Sequence, residues 1–245
     1  MDGGGEPQPA PARKVDAGAA HDAGSSRPVS GSDRVPRHEY EARRAVFHRP
    51  WVIAAAIDAD EPGAIEAAVS YLEEDPWVFR SGYGKALLLR RMRRAQLADV
   101  QRERLQRVLL HYVDVGPRWD FREACSLARV VSDRPFVREL TGRLHGRDLQ
   151  ISLRALIMLL RLRRPGLGEH DLARGREVLT EWAATNRWWH GRQVGGWVRR
   201  VWSPAWGAGL VAAADSDDGS AACLAATRIL GCVPRLAKRT RETSP

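Results

Sequence analysis

The chain has 245 residues and a formal net charge of +9 at pH 7, from 39 Lys and Arg against 30 Asp and Glu. This charge suits an anionic partner such as nucleic acid, but it also suits the arginine bias of a GC-rich genome, because only Lys14, Lys85 and Lys238 are lysines. No apolar run approaches the ~20 residues that span a bilayer, and three cysteines without a CxxC motif argue against disulfides or zinc. We therefore expect a cytoplasmic protein without a membrane span.

The first two segments precede the regular part of the chain. Residues 1–37 are rich in Gly, Ala, Pro, Ser and Asp and poor in large apolar residues, which predicts a disordered tail. The tail lacks the apolar stretch of a signal peptide, and its acidic residues argue against a transit peptide. Residues 38–63 are predicted to be an N-terminal helical segment, with a short helix over 39–49 that Pro50 ends.

Residues 64–185 carry a repeated pattern of leucines in segments with apolar residues at helical spacing. The repeated leucines are Leu72, Leu109, Leu144 and Leu179, in steps of 37, 35 and 35 residues. Such a period is typical of two-helix repeats, which bury their apolar faces by stacking on their neighbours. We predict helices that begin near 64, 81, 99, 120, 133, 148 and 167. Asp120 with Glu123 is interpreted as a capping box, and the apolar helix after Asp148 as the middle of the stack.

Two short sequences in this segment combine leucine with arginine or small residues: Leu87-Leu88-Leu89-Arg90 and Leu153-Arg154-Ala155-Leu156. Together with the leucine period, they resemble the HEAT/armadillo class of α-solenoid over residues 64–185. The resemblance implies an all-α, single-domain solenoid of stacked helical hairpins. It also implies a scaffold or adaptor, although a few proteins of this class bind nucleic acid. No functional residue is carried across.

Residues 186–233 are predicted to be a Trp-rich C-terminal cap. Several glycines and Pro204 leave room for only a short helix near 197–202, before a last apolar helix over 221–233. Residues 234–245 are predicted to be a frayed basic tail. Tryptophans interleaved with cations suit contacts with a protein, with bases or with a membrane interface, but internal packing is the favoured interpretation. The partner-binding candidates here are Trp188, Trp189, Arg192, Trp197, Arg199, Arg200 and Trp202.

A second group of candidates lies in the predicted second helices. Arg90, Arg94, Arg129 and Arg154 would build a basic groove if these helices line a concave wall. The alternative for the cluster around Arg90 is an interaction with the dipole at a helix C-terminus.

Sequence motifs argue against an enzyme. The chain has no HExxH, GxSxG, P-loop or GxGxxG motif, so we expect no catalytic residues, no cofactor and no metal. The sequence predicts a non-enzymatic protein–protein interaction scaffold. One alternative is a nucleic-acid-binding protein that uses its Arg- and Trp-rich surface, including one with base chemistry of the kind that some solenoid-shaped DNA repair enzymes perform. A structural or toxin-neutralising partner protein is the other alternative.

Overall fold

The computed structural model describes residues 37–76, 81–115, 120–162, 166–185, 192–216 and 218–243, with backbone only for 37–47 and 192–193. The tail predicted over 1–37 lies outside these ranges, apart from Arg37. The described residues contain twelve helices and no strand, so the chain is all-helical there. The helices are α1 Arg37–Asp58, α2 Ala64–Glu74, α3 Ser81–Met92, α4 Asp99–Val115, α5 Phe121–Val131, α6 Arg134–Leu144, α7 Leu149–Arg161, α8 Glu169–Thr185, α9 Arg192–Val201, α10 Pro204–Asp215, α11 Ala221–Cys232 and α12 Pro234–Thr243. None of these twelve has the length and apolar composition that a bilayer crossing requires.

Helix α1 continues through Pro50, so the prediction that Pro50 ends the first helix is wrong. Proline removes a backbone hydrogen bond from a helix interior, and packing must compensate for that loss. Pro50 is buried, and its ring occupies the space that Gly84 of α3 leaves open. Helix α1 packs along α3, so tertiary contact overrides the local signal.

Two aspartates are N-caps of helices, as the sequence predicts. Asp133 accepts a 2.8 Å hydrogen bond from the backbone N–H of Phe136, and Asp148 accepts from the N–H groups of Gln150 and Ile151. Both satisfy amides that a helix N-terminus leaves without partners. The capping box predicted at Asp120 is wrong, because this residue has helical backbone angles and its side chain does not cap α5.

Helices α2 to α9 pack as two rows. The first row consists of α2, α4, α6 and α8, and the second of α3, α5, α7 and α9; each helix contacts the next helix of its own row. Leu72, Leu109, Leu144 and Leu179 lie in the first row and are at most 1% exposed. The α7 helix is buried on several sides, as its apolar sequence predicts. The repeated leucines therefore form the interior between the rows.

Side chains connect neighbouring helices of the first row. An arginine on each of α4, α6 and α8 contacts the preceding helix of the first row. These contacts join Arg104 to Glu66 and Glu73, Arg143 to Asp114, and Arg174 to the carbonyl oxygen of Leu144. Hydrogen bonds from Arg104 hold the pKa values of both its glutamates below their ordinary value.

The C-terminal region is more helical than the sequence predicts. Residues 204–215 form α10, where we expect irregular chain, because Ser203 caps the helix and Pro204 occupies its first turn. The prediction of a frayed tail is also wrong, because residues 234–243 form α12. This helix packs on α10 and α11 and buries Ala237 and Thr240. In turn, α11 packs on α8 and α9 and covers the end of both rows.

Candidate functional site

Positive charge is concentrated on the second row of helices. Its four helices contain ten basic residues and one carboxylate, Glu123. The first row contains eight arginines and eleven carboxylates, so its net charge is negative, whereas that of the second row is positive. Since these helices are held by packing, the difference fixes a basic side on the molecule. The basic residues of the second row are Lys85, Arg90, Arg91, Arg122, Arg129, Arg154, Arg161, Arg192, Arg199 and Arg200.

Five of these arginines are exposed, together with Arg94, which lies just beyond α3. We call these six the cationic face. Over the described ranges, none of them lies within ion-pairing distance of a carboxylate. In the first row, four of the eight arginines are paired, namely Arg104, Arg143, Arg174 and Arg176. The face therefore presents guanidinium groups that can bind anions without first breaking an ion pair. Its members are Arg90, Arg94, Arg122, Arg129, Arg199 and Arg200.

Residues seven apart share one side of a helix, and this spacing aligns the cationic face along α3 and α5. Arg122 and Arg129 are so related on α5, as are Tyr83 and Arg90 on α3. Tyr83 is 59% exposed, so an aromatic ring lies on the same side of α3 as Arg90, about two turns away.

Arg154 has a different environment from the other predicted groove residues. Its side chain is buried, and its guanidinium donates hydrogen bonds to the carbonyl oxygens of Val113 and Asp114 at the end of α4. Burial lowers its pKa. These carbonyls have no partner within their own helix, so Arg154 serves as a cap that joins α7 to α4. Arg90, Arg94 and Arg129, by contrast, are exposed.

The structure describes only part of the predicted aromatic candidates. Trp188, Trp189 and the side chain of Arg192 lie outside the described residues. Trp197 and Trp202 are half-buried and pack against the core. Trp202 also meets Trp206 edge-on, with 5.6 Å between ring centroids. Packing thus accounts for Trp202, as one of the two interpretations from the sequence expects.

A periodic set of arginines was missed by sequence reasoning. Arg94, Arg129, Arg164 and Arg199 follow one another at steps of 35 residues, the same step that separates the last three repeated leucines. Their places in the second-row helices differ, because Arg129 and Arg199 lie two residues before the ends of α5 and α9, whereas Arg94 lies two residues beyond the end of α3. Arg164 lies outside the described residues, so the set is a period of the sequence. Extending the leucine period to arginine would have revealed it.

Within the described ranges, no three His, Cys, Asp or Glu side chains are grouped to hold a metal ion. The site with the clearest chemistry is thus the cationic face, whose guanidinium groups suit carboxylates and phosphates. Comparison with protein-family models, curated proteins and solved structures finds no match for this chain.

Proposed function

We propose that α2 to α9 form an α-solenoid of four helical hairpins, of the HEAT/armadillo-like kind. Equivalent hydrogen bonds in two hairpins support this repeat. Gln106, three residues before Leu109, donates to the carbonyl oxygen of Val131 at 2.7 Å. Arg176, three residues before Leu179, donates to that of Val201 at 3.1 Å. Both bonds join the first helix of a pair to the end of the second, 25 residues later.

The solenoid acts as a non-enzymatic scaffold that binds an acidic partner protein on the cationic face. The observation that carries this proposal is the charge contrast between the rows: ten basic residues against one carboxylate on the second row, and eight arginines against eleven carboxylates on the first. Clustered like charges repel one another, and an anionic partner relieves that repulsion. Helices packed in a row also hold the arginines in fixed relative positions, which lowers the entropy cost of binding.

A pull-down from nuclease-treated native lysate tests this function. The bait proteins are the wild type, Arg129→Glu/Arg200→Glu, and Arg235→Glu/Arg239→Glu as a control with the same charge change on exposed positions of α12. We expect one protein that the wild type and the control retain and the cationic-face variant loses. Equal retention by all three baits would contradict the proposal.

Nucleic-acid binding is the second candidate, and exposed Tyr83 on the same side of α3 as Arg90 supports it. Base stacking on an aromatic ring next to cations is a common way to hold single strands. This candidate predicts binding of a single-stranded oligonucleotide that weakens steeply with salt. Arg90→Ala should lower the slope of log affinity against log salt by about one. Affinity that is unchanged between low and high salt would remove the candidate.

A further inference from the structure

We propose that Trp51, Val52 and Tyr83 bind a large apolar side chain within an acidic segment of the partner protein, and that Arg90 binds a carboxylate of the same segment. We call the first three residues the apolar patch. This inference rests on the proposed scaffold function and specifies how the partner is recognised. Three observations carry it: the grouping of exposed apolar side chains, the charge next to them, and the aliphatic member of the group.

Exposed apolar side chains are concentrated at one place on the molecule. Six large hydrophobic side chains are exposed among the described residues, and three of them form the apolar patch: Trp51 at 38%, Val52 at 68% and Tyr83 at 59%. The other three lie at the two ends of α4 and on α11. Single exposed hydrophobic residues are ordinary, whereas a group of them beside polar residues marks an interaction site.

The apolar patch joins two helices at the point where α1 and α3 approach closely. A Cβ atom on Gly84 would lie 3.2 Å from Cζ3 of Trp51, so the indole packs against the backbone of α3. Tyr83 precedes Gly84, and consecutive Cα atoms are about 3.8 Å apart. The indole therefore lies within about 9 Å of the Cα atom of Tyr83. One large side chain of a partner can contact both helices at this place.

Arg90 supplies positive charge next to the apolar patch. It lies seven residues after Tyr83, on the same side of α3. Its Nε donates a 3.2 Å hydrogen bond to the carbonyl oxygen of Ala86, one turn earlier, so the side chain runs back along α3 towards Tyr83. Because a guanidinium has five N–H groups, Arg90 can keep this bond and still bind a carboxylate. The complementary ligand therefore combines an apolar group with a nearby negative charge.

The composition of this surface favours a protein over nucleic acid. Trp, Tyr and Arg are the residue types that dominate the binding energy of protein interfaces. Val52 is the most exposed member of the apolar patch, and an aliphatic side chain offers no ring on which a base can stack. Its burial is favourable against an apolar side chain, which proteins supply and phosphates do not.

The test measures fluorescence anisotropy of two labelled acidic peptides with the full chain. The peptides differ at a single central position, which is phenylalanine in one and serine in the other. We expect the phenylalanine peptide to bind about tenfold more tightly, because its ring is buried on the apolar patch. Val52→Ser and Tyr83→Ser should each reduce this preference about threefold. Arg90→Gln should weaken both peptides equally, by about threefold, as expected for an exposed ion pair.

Val100→Ser and Leu224→Ser are the matched controls. They also remove exposed hydrophobic side chains, which are 66% and 47% exposed, but at places distant from the apolar patch in the sequence. Both should leave the preference for the phenylalanine peptide unchanged. Since every substituted side chain is exposed, thermal melts should show that all these variants remain folded.

Equal affinity for the two peptides, or equal effects of patch and control substitutions, would overturn the inference. It would also be overturned by a 12-nucleotide single strand that bound more tightly than both peptides and lost affinity in Tyr83→Ser, or by a dimer of the chain that Val52→Ser abolished. If both peptides bind equally and both lose affinity in Arg129→Glu/Arg200→Glu, the scaffold function stands and this inference alone fails.

Discussion

The Nζ atom of Lys85 lies 2.6 Å from Oδ1 of Asp75, and this ion pair joins α3 to the end of α2. It is the most buried ion pair among the described residues, with side chains 2% and 15% exposed. Asp75 has a φ of 44°, in the left-handed region that Asp, Asn and Gly tolerate best. The pair therefore links the C-terminal end of α2 to α3.

Asp75→Asn should lower the free energy of unfolding by about 3–5 kcal/mol, because it leaves a buried ammonium group without its carboxylate. Asparagine tolerates the same backbone angles, so the loss reports on charge. Urea denaturation measures it. Adding Lys85→Met should restore part of the stability, since the double variant contains no buried charge at this place. A double variant less stable than Asp75→Asn would contradict this account.

Gly84 should be intolerant of a side chain, because a Cβ atom there would lie 2.4 Å from Cγ of Pro50. We expect Gly84→Ala to destabilise the fold by about 1–3 kcal/mol as α1 is pushed away from α3. Gly142→Ala is the matched control, since that glycine is also inside a helix but has no atom within 4 Å of the added Cβ. It should stabilise the protein by about 0.5–1 kcal/mol. Thermal melts of both variants test the contrast, and equal shifts would refute it.

The equivalence of Gln106 and Arg176 predicts which substitution position 106 accepts. Gln106→Ala should cost about 1 kcal/mol, because the carbonyl oxygen of Val131 loses its donor. Gln106→Arg should retain the wild-type stability, because arginine makes the corresponding bond at position 176. Denaturation curves of the two variants give the comparison. An arginine variant as unstable as the alanine variant would argue against the repeat.

Arg104 should make stability depend on pH in the acidic range. It lowers the pKa values of Glu66 and Glu73 in the folded state. A lowered folded-state pKa stabilises the protein above the unfolded value of 4.5, and this contribution is lost as pH falls through the folded value. The difference in Tm between the wild type and Arg104→Met should therefore be largest near neutral pH and shrink below about pH 4. Arg138→Met, an exposed arginine of α6, should show no such dependence.

Local signals in the sequence were sufficient for much of the fold. Helices α2 to α8, the buried positions of Leu72, Leu109, Leu144 and Leu179, and the cap at Asp148 all follow from spacing within one segment. Pro50 misled the prediction, because its effect depends on Gly84, which is distant in sequence.

The residues of the candidate site were harder to predict from the sequence than the helices were. Arg154 and Arg129 look alike in the sequence, yet one is buried against the end of α4 and the other is exposed. That difference depends on which carbonyl groups the packed helices leave open, and no local pattern records it. The 35-residue period from Arg94 to Arg199 is visible in the sequence, but the helix ends are needed to show that Arg94 lies beyond α3 while Arg129 and Arg199 lie within α5 and α9.

Hydroxyl-radical footprinting of the wild type, free and bound to the protein captured in the pull-down, tests the central claim most directly. Tyr83 of the second row is 59% exposed, and Val100 and Val115 of the first row are 66% and 47% exposed. The account predicts that the partner protects Tyr83 and leaves both valines as reactive as before. Protection of Val100 and Val115, with Tyr83 unchanged, would contradict binding on the cationic face.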